Sequence, residues 1–133
     1  MIQYTISGQV SPSGKPVLSV TFHGPSGNLA GEATINLDDG FPSQIGRDLC
    51  VQLGIDLEDT LPVHFHVDGV LTSLEGVTVD FSFQALDGSP INASVKGVIL
   101  SKDASCGFVI GSQLLSGMTM IGDAWAATFP SDT

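Results

Sequence analysis

Asp38 and Asp39 are adjacent carboxylates at the end of an apolar run, and Gly40-Phe41 follow them. Ala33, Ile35 and Leu37 alternate onto one face, so the run reads as a strand that carries the acidic pair out of the core. A carboxylate at the end of a buried strand loses water. Desolvation or a neighbouring like charge then raises at least one pKa toward the range useful for acid–base chemistry. Asp-Gly is also a common turn dipeptide, and the chain repeats it at Asp68-Gly69 and Asp87-Gly88. Taken alone, the three residues favour a turn. Other reactive side chains offer less. His64 and His66 share one face of a strand with no third ligand nearby in sequence, so they read as surface or satisfied residues, and neither metal nor cofactor is expected. Cys50 and Cys106 lack the dense spacing of a disulfide framework and read as small buried hydrophobes.

A second stretch changes the weighing. Phe108-Val109-Ile110-Gly111-Ser112-Gln113-Leu114-Leu115 is another apolar strand followed by glycine and a short helical start, far downstream of the first. Together the two stretches resemble the retropepsin-like aspartic proteases, the single-domain dimeric relatives of pepsin. In that family a strand delivers Asp-Thr/Ser-Gly, commonly followed by Ala or Phe, and then a helix ending in Leu-Gly. Here the corresponding residues are Asp38-Asp39-Gly40-Phe41, Arg47 to Leu53, and Gly54-Ile55. The family's C-terminal segment, two hydrophobic residues and then Gly-x-x-Leu-Leu, is matched by Val109 to Leu115. The likeness runs from about Pro16 to Asp123.

The resemblance implies an all-β fold: a closed barrel or sandwich of short antiparallel strands with one or two short helices, one domain over residues 1–133. Residues 1–15 would supply a terminal strand for dimerisation, and residues 130–133 a loose tail. It implies an aspartic endopeptidase acting on peptide or protein substrates at acidic pH, without metal or cofactor. Two carboxylates about 3 Å apart share one proton, so one can take a proton from water while the other donates to the scissile carbonyl. Asp38-Asp39-Gly40 is the only Asp-x-Gly in the chain, and consecutive strand residues point apart. The dyad therefore requires a homodimer with Asp38 from each subunit on a two-fold axis. Gly40 would allow close backbone approach, the hairpin around Asp68-Gly69 would be the flap, Phe41 and Ile45 would line side-chain pockets, and Ile110-Gly111 would support the Asp38 loop. Asp39 stands where the family carries Thr or Ser, and Ser112 where retroviral members carry Arg. Two facing Asp39 carboxylates repel unless protonated, so activity and dimerisation are expected to favour low pH. The alternative is a catalytically silent dimerising or peptide-binding domain of the same fold; an unrelated β-sandwich binding module is a third reading.

These motifs need a scaffold, and 133 residues suffice for one core. Four Lys/Arg against fourteen Asp/Glu give a formal charge of −10, which argues against nucleic acid or an anionic membrane as partner. No apolar run is long enough to span a bilayer and no signal-peptide pattern opens the chain, so a soluble cytoplasmic protein is expected. Alternation predicts strands at Ile2-Tyr4-Ile6, Leu18-Val20-Phe22, Val77-Val79-Phe81-Phe83 and Ile91-Ala93-Val95, and a hairpin from Val63 to Leu74. Ser11 to Gly14 and His23 to Asn28 read as loops. Ser43 to Leu53 reads as a helix capped by Ser43 and stopped by Gly54. Ser112 would cap a second short helix that Gly117 ends, with strands through Met118-Met120 and Trp125-Phe129. Trp125 reads as packing or as a ligand platform.

Overall fold

The computed structural model describes residues 2–36, 43–111, 116–121 and 124–131. Its strands are β1 Ile2–Val10, β2 Pro16–Gly24, β3 Gly27–Ile35, β4 Gln44–Ile45, β5 Leu61–Val67, β6 Val70–Gln84, β7 Pro90–Leu100, β8 Phe108–Ile110, β9 Ser116–Ile121 and β10 Ala124–Ser131, with one helix among the described residues, α1 Arg47–Leu53. The sheet runs β5-β6-β7-β4-β8-β3-β2-β1-β10-β9, and a further pairing of β2 with β6 closes β6, β7, β4, β8, β3 and β2 into a barrel. The closed all-β barrel is the expected class, with one refinement. β3 runs parallel to β8 and β4 parallel to β7, and β6 reaches 15 residues, so the strands are neither all short nor all antiparallel.

Period-two alternation fills the barrel. Leu18, Val20 and Phe22 of β2, Ala33 and Ile35 of β3, Val77, Val79, Phe81 and Phe83 of β6, and Phe108 and Ile110 of β8 are all buried. The closure depends on aromatic contacts. Phe22 and Phe81 are register partners across the β2–β6 pairing. Phe108 stands edge-on to both, with ring centroids 5.7 Å from Phe22 and 5.2 Å from Phe81. Edge-to-face rings align the positive rim of one with the negative face of the other, adding to burial.

β1, β10 and β9 extend the sheet beyond β2. β1 pairs with β10 from Ile2↔Ser131 to Gln9↔Ala124, but with β2 only at Gln9↔Val17 and Val10↔Pro16. Trp125 pins this corner: its indole is 1 % exposed, and its N–H is shared between the carbonyls of Gln9 and Val17 at 3.1 and 3.0 Å. Gly8 lies opposite, where any side chain would collide with the indole. Trp125 is therefore packing within the chain, and the ligand-platform reading is set aside. Pro130 and Ser131, expected in a loose tail, complete β10 opposite Gln3 and Ile2.

Local details correct three other expectations. His23 to Asn28 is a tight turn at Pro25-Ser26, because β2 and β3 pair as far as Gly24↔Gly27. Gly117 lies within β9 and so does not end a helix. The first helix starts at Arg47, after β4 has occupied Gln44 and Ile45, so Ser43 is not its cap. Gly46 is the N-cap, and the carbonyl of Ala104 accepts the Asp48 N–H at 3.0 Å in place of a capping side chain. Gly54 (φ 77°) ends the helix: its N–H reaches the Val51 carbonyl, and the Ile55 N–H reaches that of Cys50, the Schellman pattern.

The inner face of α1 buries Cys50 and Leu53, and Cys50 and Cys106 are both free thiols. Burial pushes the Cys50 thiol from 9.0 up to about 11. The folded state thus favours the neutral thiol, so its contribution to stability is complete below the unfolded pKa and is lost as pH rises toward the folded one. Cys50→Ala should flatten the alkaline loss of stability between pH 9.0 and about 11 by on the order of 2 kcal/mol, read by urea denaturation across that range. An unchanged slope would contradict a buried neutral thiol. Phe108→Ala should cost about 3–5 kcal/mol in the same assay, and a loss below about 1 kcal/mol would show that the aromatic closure contributes little.

Candidate active site

The residues that flank the Asp38 segment are held by two consecutive residues, the last of β8 and the one after it. β3 and β8 run side by side from Ala33↔Phe108 to Ile35↔Ile110. One residue further on, the Asn36 N–H donates to the Ile110 carbonyl at 2.9 Å. The chain returns at Ser43, whose Oγ accepts the Gly111 N–H at 2.9 Å and whose carbonyl accepts the Ile99 N–H at 2.9 Å. β4 then enters between β8 and β7, antiparallel to the first and parallel to the second. Residues 37–42 are thus spanned by two hydrogen-bonded anchors on Ile110-Gly111. Ile110 is buried in the core and Gly111 is enclosed beside it.

Asp38, Asp39, Gly40 and Phe41 themselves lie outside the described residues, as does Ser112. Ile110 and Gly111 contact both flanks of the loop they are expected to support. Ile45 is 0 % exposed and belongs to the barrel core, so it has no surface with which to line a substrate pocket, and that expectation gives way to a packing role. Sequence reasoning missed the role of Ser43. Its distance from Arg47 in the chain is that of a distant helix cap, and only the β4–β8 pairing reveals its hydroxyl as the partner of Gly111.

Asp68 and Gly69 form the tip of the β5–β6 hairpin, with Val67 opposite Val70 and both tip residues at positive φ (52° and 81°). That is the two-residue turn whose twist suits paired strands. β7 joins β6 only from Gly76↔Ile99 onward, so from Pro62↔Glu75 to the tip the hairpin is a two-stranded arm. At its root β6 and β7 slip register between Val77 and Val79 opposite Gly97, which has φ 73°, a bulge that bends the arm. Gly76 packs against Val63 and Gly97 too closely to carry a side chain. Val70, Leu71 and Leu74 on the arm are exposed apolar residues. One exposed ion pair, Arg47 to Glu75 at 3.6 Å, links α1 to the base of the arm.

Other polar clusters do not include Asn36, Ser43 or Gly111. His23 Nδ1 is 2.8 Å from Asn28 Oδ1, and Nε2 is 2.8 Å from Ser82 Oγ, tying the β2–β3 hairpin to β6 beside the barrel closure. Asp87 and Asp103 sit in exposed turns, held below the usual carboxylate range by hydrogen bonds from Ser89 and Ser105 respectively. His64 and His66 are exposed, and among the described residues no group of three His, Cys, Asp or Glu is placed to hold a metal ion. No helix among the described residues is long and apolar enough to cross a membrane.

No protein-family model matches the chain, and no curated protein does so. Among solved structures it is similar to the crystal structure of a retropepsin-like aspartic protease from Rickettsia conorii, with a TM-score of 0.60 and 14% sequence identity, over 96% of this chain and 93% of that one. At that identity the likeness concerns architecture, and the chain has the retropepsin-like fold.

Proposed function

We propose that this chain is an aspartic endopeptidase that works as a homodimer, each subunit contributing Asp38 to a shared dyad. The observation that carries the reading is the clasp at the end of β8, on Ile110 and Gly111. An Asp-x-Gly loop is spanned by the Asn36–Ile110 and Ser43–Gly111 hydrogen bonds, within a barrel whose solved neighbour is a retropepsin-like aspartic protease. Two anchored loops meeting on a two-fold axis supply what neither has alone, a pair of carboxyl groups close enough to share a proton. The ionised Asp38 removes a proton from water while the protonated one hydrogen-bonds the scissile carbonyl, and no metal is needed. Gly40 lets the backbone approach its twin. The arm tipped by Asp68-Gly69 folds over an extended peptide and excludes water, and Phe41 offers an apolar wall to a substrate side chain.

Asp39 sets the pH range in this reading. Where the family places a hydroxyl that donates across the axis, this chain places a carboxylate that, when ionised, cannot donate, and two such groups repel. Each subunit also carries a formal charge of −10, so association becomes easier as pH falls toward the pI of about 4.2.

Cleavage of a denatured protein substrate at mildly acidic pH should fall by roughly 10²–10⁴-fold in Asp38→Asn, and cleavage unchanged in that variant would refute the assignment. Asp39→Thr should extend both cleavage and dimer formation toward neutral pH, the dimer read by sedimentation velocity; identical pH profiles would remove Asp39 from the account. Ser43→Ala should lower kcat with KM little changed and cost about 1 kcal/mol of stability. Full kcat in a stably folded Ser43→Ala would show that the Gly111 contact does not position the loop.

A further inference from the structure

On the barrel wall, a groove of about 360 Å³ opens between the β2–β3 turn, the segment joining α1 to β5, and the root of β6. Asn36, Ser43 and Gly111, which flank or anchor the Asp38 segment, do not line it. Its floor is apolar: Leu53 from the end of α1 and Val77 from β6, both almost fully buried. Leu61, at the start of β5, forms one wall with 62 % of its surface exposed. Asp56, Asp59 and Asp80 stand around the rim, and no lysine or arginine lines it. A leucine left this open beside an apolar floor has a favourable contact still to make. Three carboxylates around it, on a chain of formal charge −10, attract cations both locally and at long range.

We propose that this groove docks a basic, amphipathic stretch of a partner polypeptide. An apolar side chain of the partner lies on Leu53 and Val77 against Leu61, and its lysine or arginine side chains reach over to Asp56, Asp59 and Asp80. No stretch of this chain fits that description: its four Lys/Arg are Lys15, Arg47, Lys96 and Lys102, none adjacent in sequence, and the two that share a groove, Arg47 and Lys102, come from different segments. The occupant is a different polypeptide. Because the groove touches the root of the β5–β6 arm at Leu61 and Val77, a bound segment contacts the base of that arm.

The probe is a dye-labelled peptide of alternating leucine and lysine, titrated into the Asp38→Asn chain beside its leucine–glutamate counterpart. The lysine peptide should bind with an affinity that falls as salt rises, and the glutamate peptide should not bind. Amide shifts in a nitrogen-15 spectrum should cluster at Leu53 to Leu61 and at Val77 to Asp80. Replacing Asp56, Asp59 and Asp80 together by Asn should weaken binding roughly tenfold. Leu61→Ser should weaken it at unchanged charge, which separates docking from general attraction to an acidic surface. Absence of binding, equal binding by the triple variant, equal binding by Leu61→Ser, or shifts centred on another surface would each overturn the proposal. Docking is read with cleavage switched off, so its outcome is independent of whether Asp38 is catalytic.

Discussion

The structure depends on the parallel pairing of β3 with β8. Parallel neighbours cannot be joined by a tight turn, so strands that meet this way come from distant parts of the chain and their pairing is fixed by the core. Here Ile35 and Ile110 end side by side inside the barrel. The described pairing ends there. The next polar groups of the backbone are satisfied by exchange, the Asn36 N–H on Ile110 and the Gly111 N–H on the Ser43 hydroxyl. These two hydrogen bonds fix the flanks of the acidic segment, Asn36 and Ser43, on consecutive residues of one chain.

The same pairing divides the molecule into parts of different stiffness. Around it, the closed barrel shares its aromatic contacts among β2, β6 and β8, and Trp125 locks β1 and β10 to β2. Outside it, the β5–β6 arm has no third strand beside it and is tied back by the exposed Arg47–Glu75 ion pair, with a bulge at Gly97 and a close approach at Gly76. A closed base and a lightly supported arm differ in local stability, because the arm has fewer buried contacts to lose when it opens. The acidic surface adds a second control, since self-repulsion falls as carboxylates are protonated.

Much of this was legible in the sequence. Val77, Val79, Phe81 and Phe83 alternate so strictly that their strand and its inner face follow from the residues, and Asp68-Gly69 announces its two-residue turn by dipeptide. The two glycine-bearing motifs pointed to the barrel because they recur in one order within one fold. What failed was local signal overruled by pairing. Gln44-Ile45 looked like the start of a helix, because a two-residue strand has no period to detect, and tertiary hydrogen bonds to β7 and β8 decided its state. Ser43 and Ile45 were misassigned for that reason, one as a cap and the other as a pocket wall. Pro130 looked like the start of a tail, but a strand can accommodate proline where no ladder donor is required. The His23, Asn28 and Ser82 cluster left no trace in sequence, because its members meet only when the barrel closes.

Whether one carboxylate per subunit makes the active site can be decided by mixing. Native chain and Asp38→Asn chain, combined in varied proportions and allowed to exchange subunits, should show acid proteolysis that falls as the square of the native fraction, to about a quarter at equal parts, because only native–native pairs hold two Asp38 carboxyls. A decline in simple proportion to the native fraction would mean that each chain works alone, and would contradict the shared dyad.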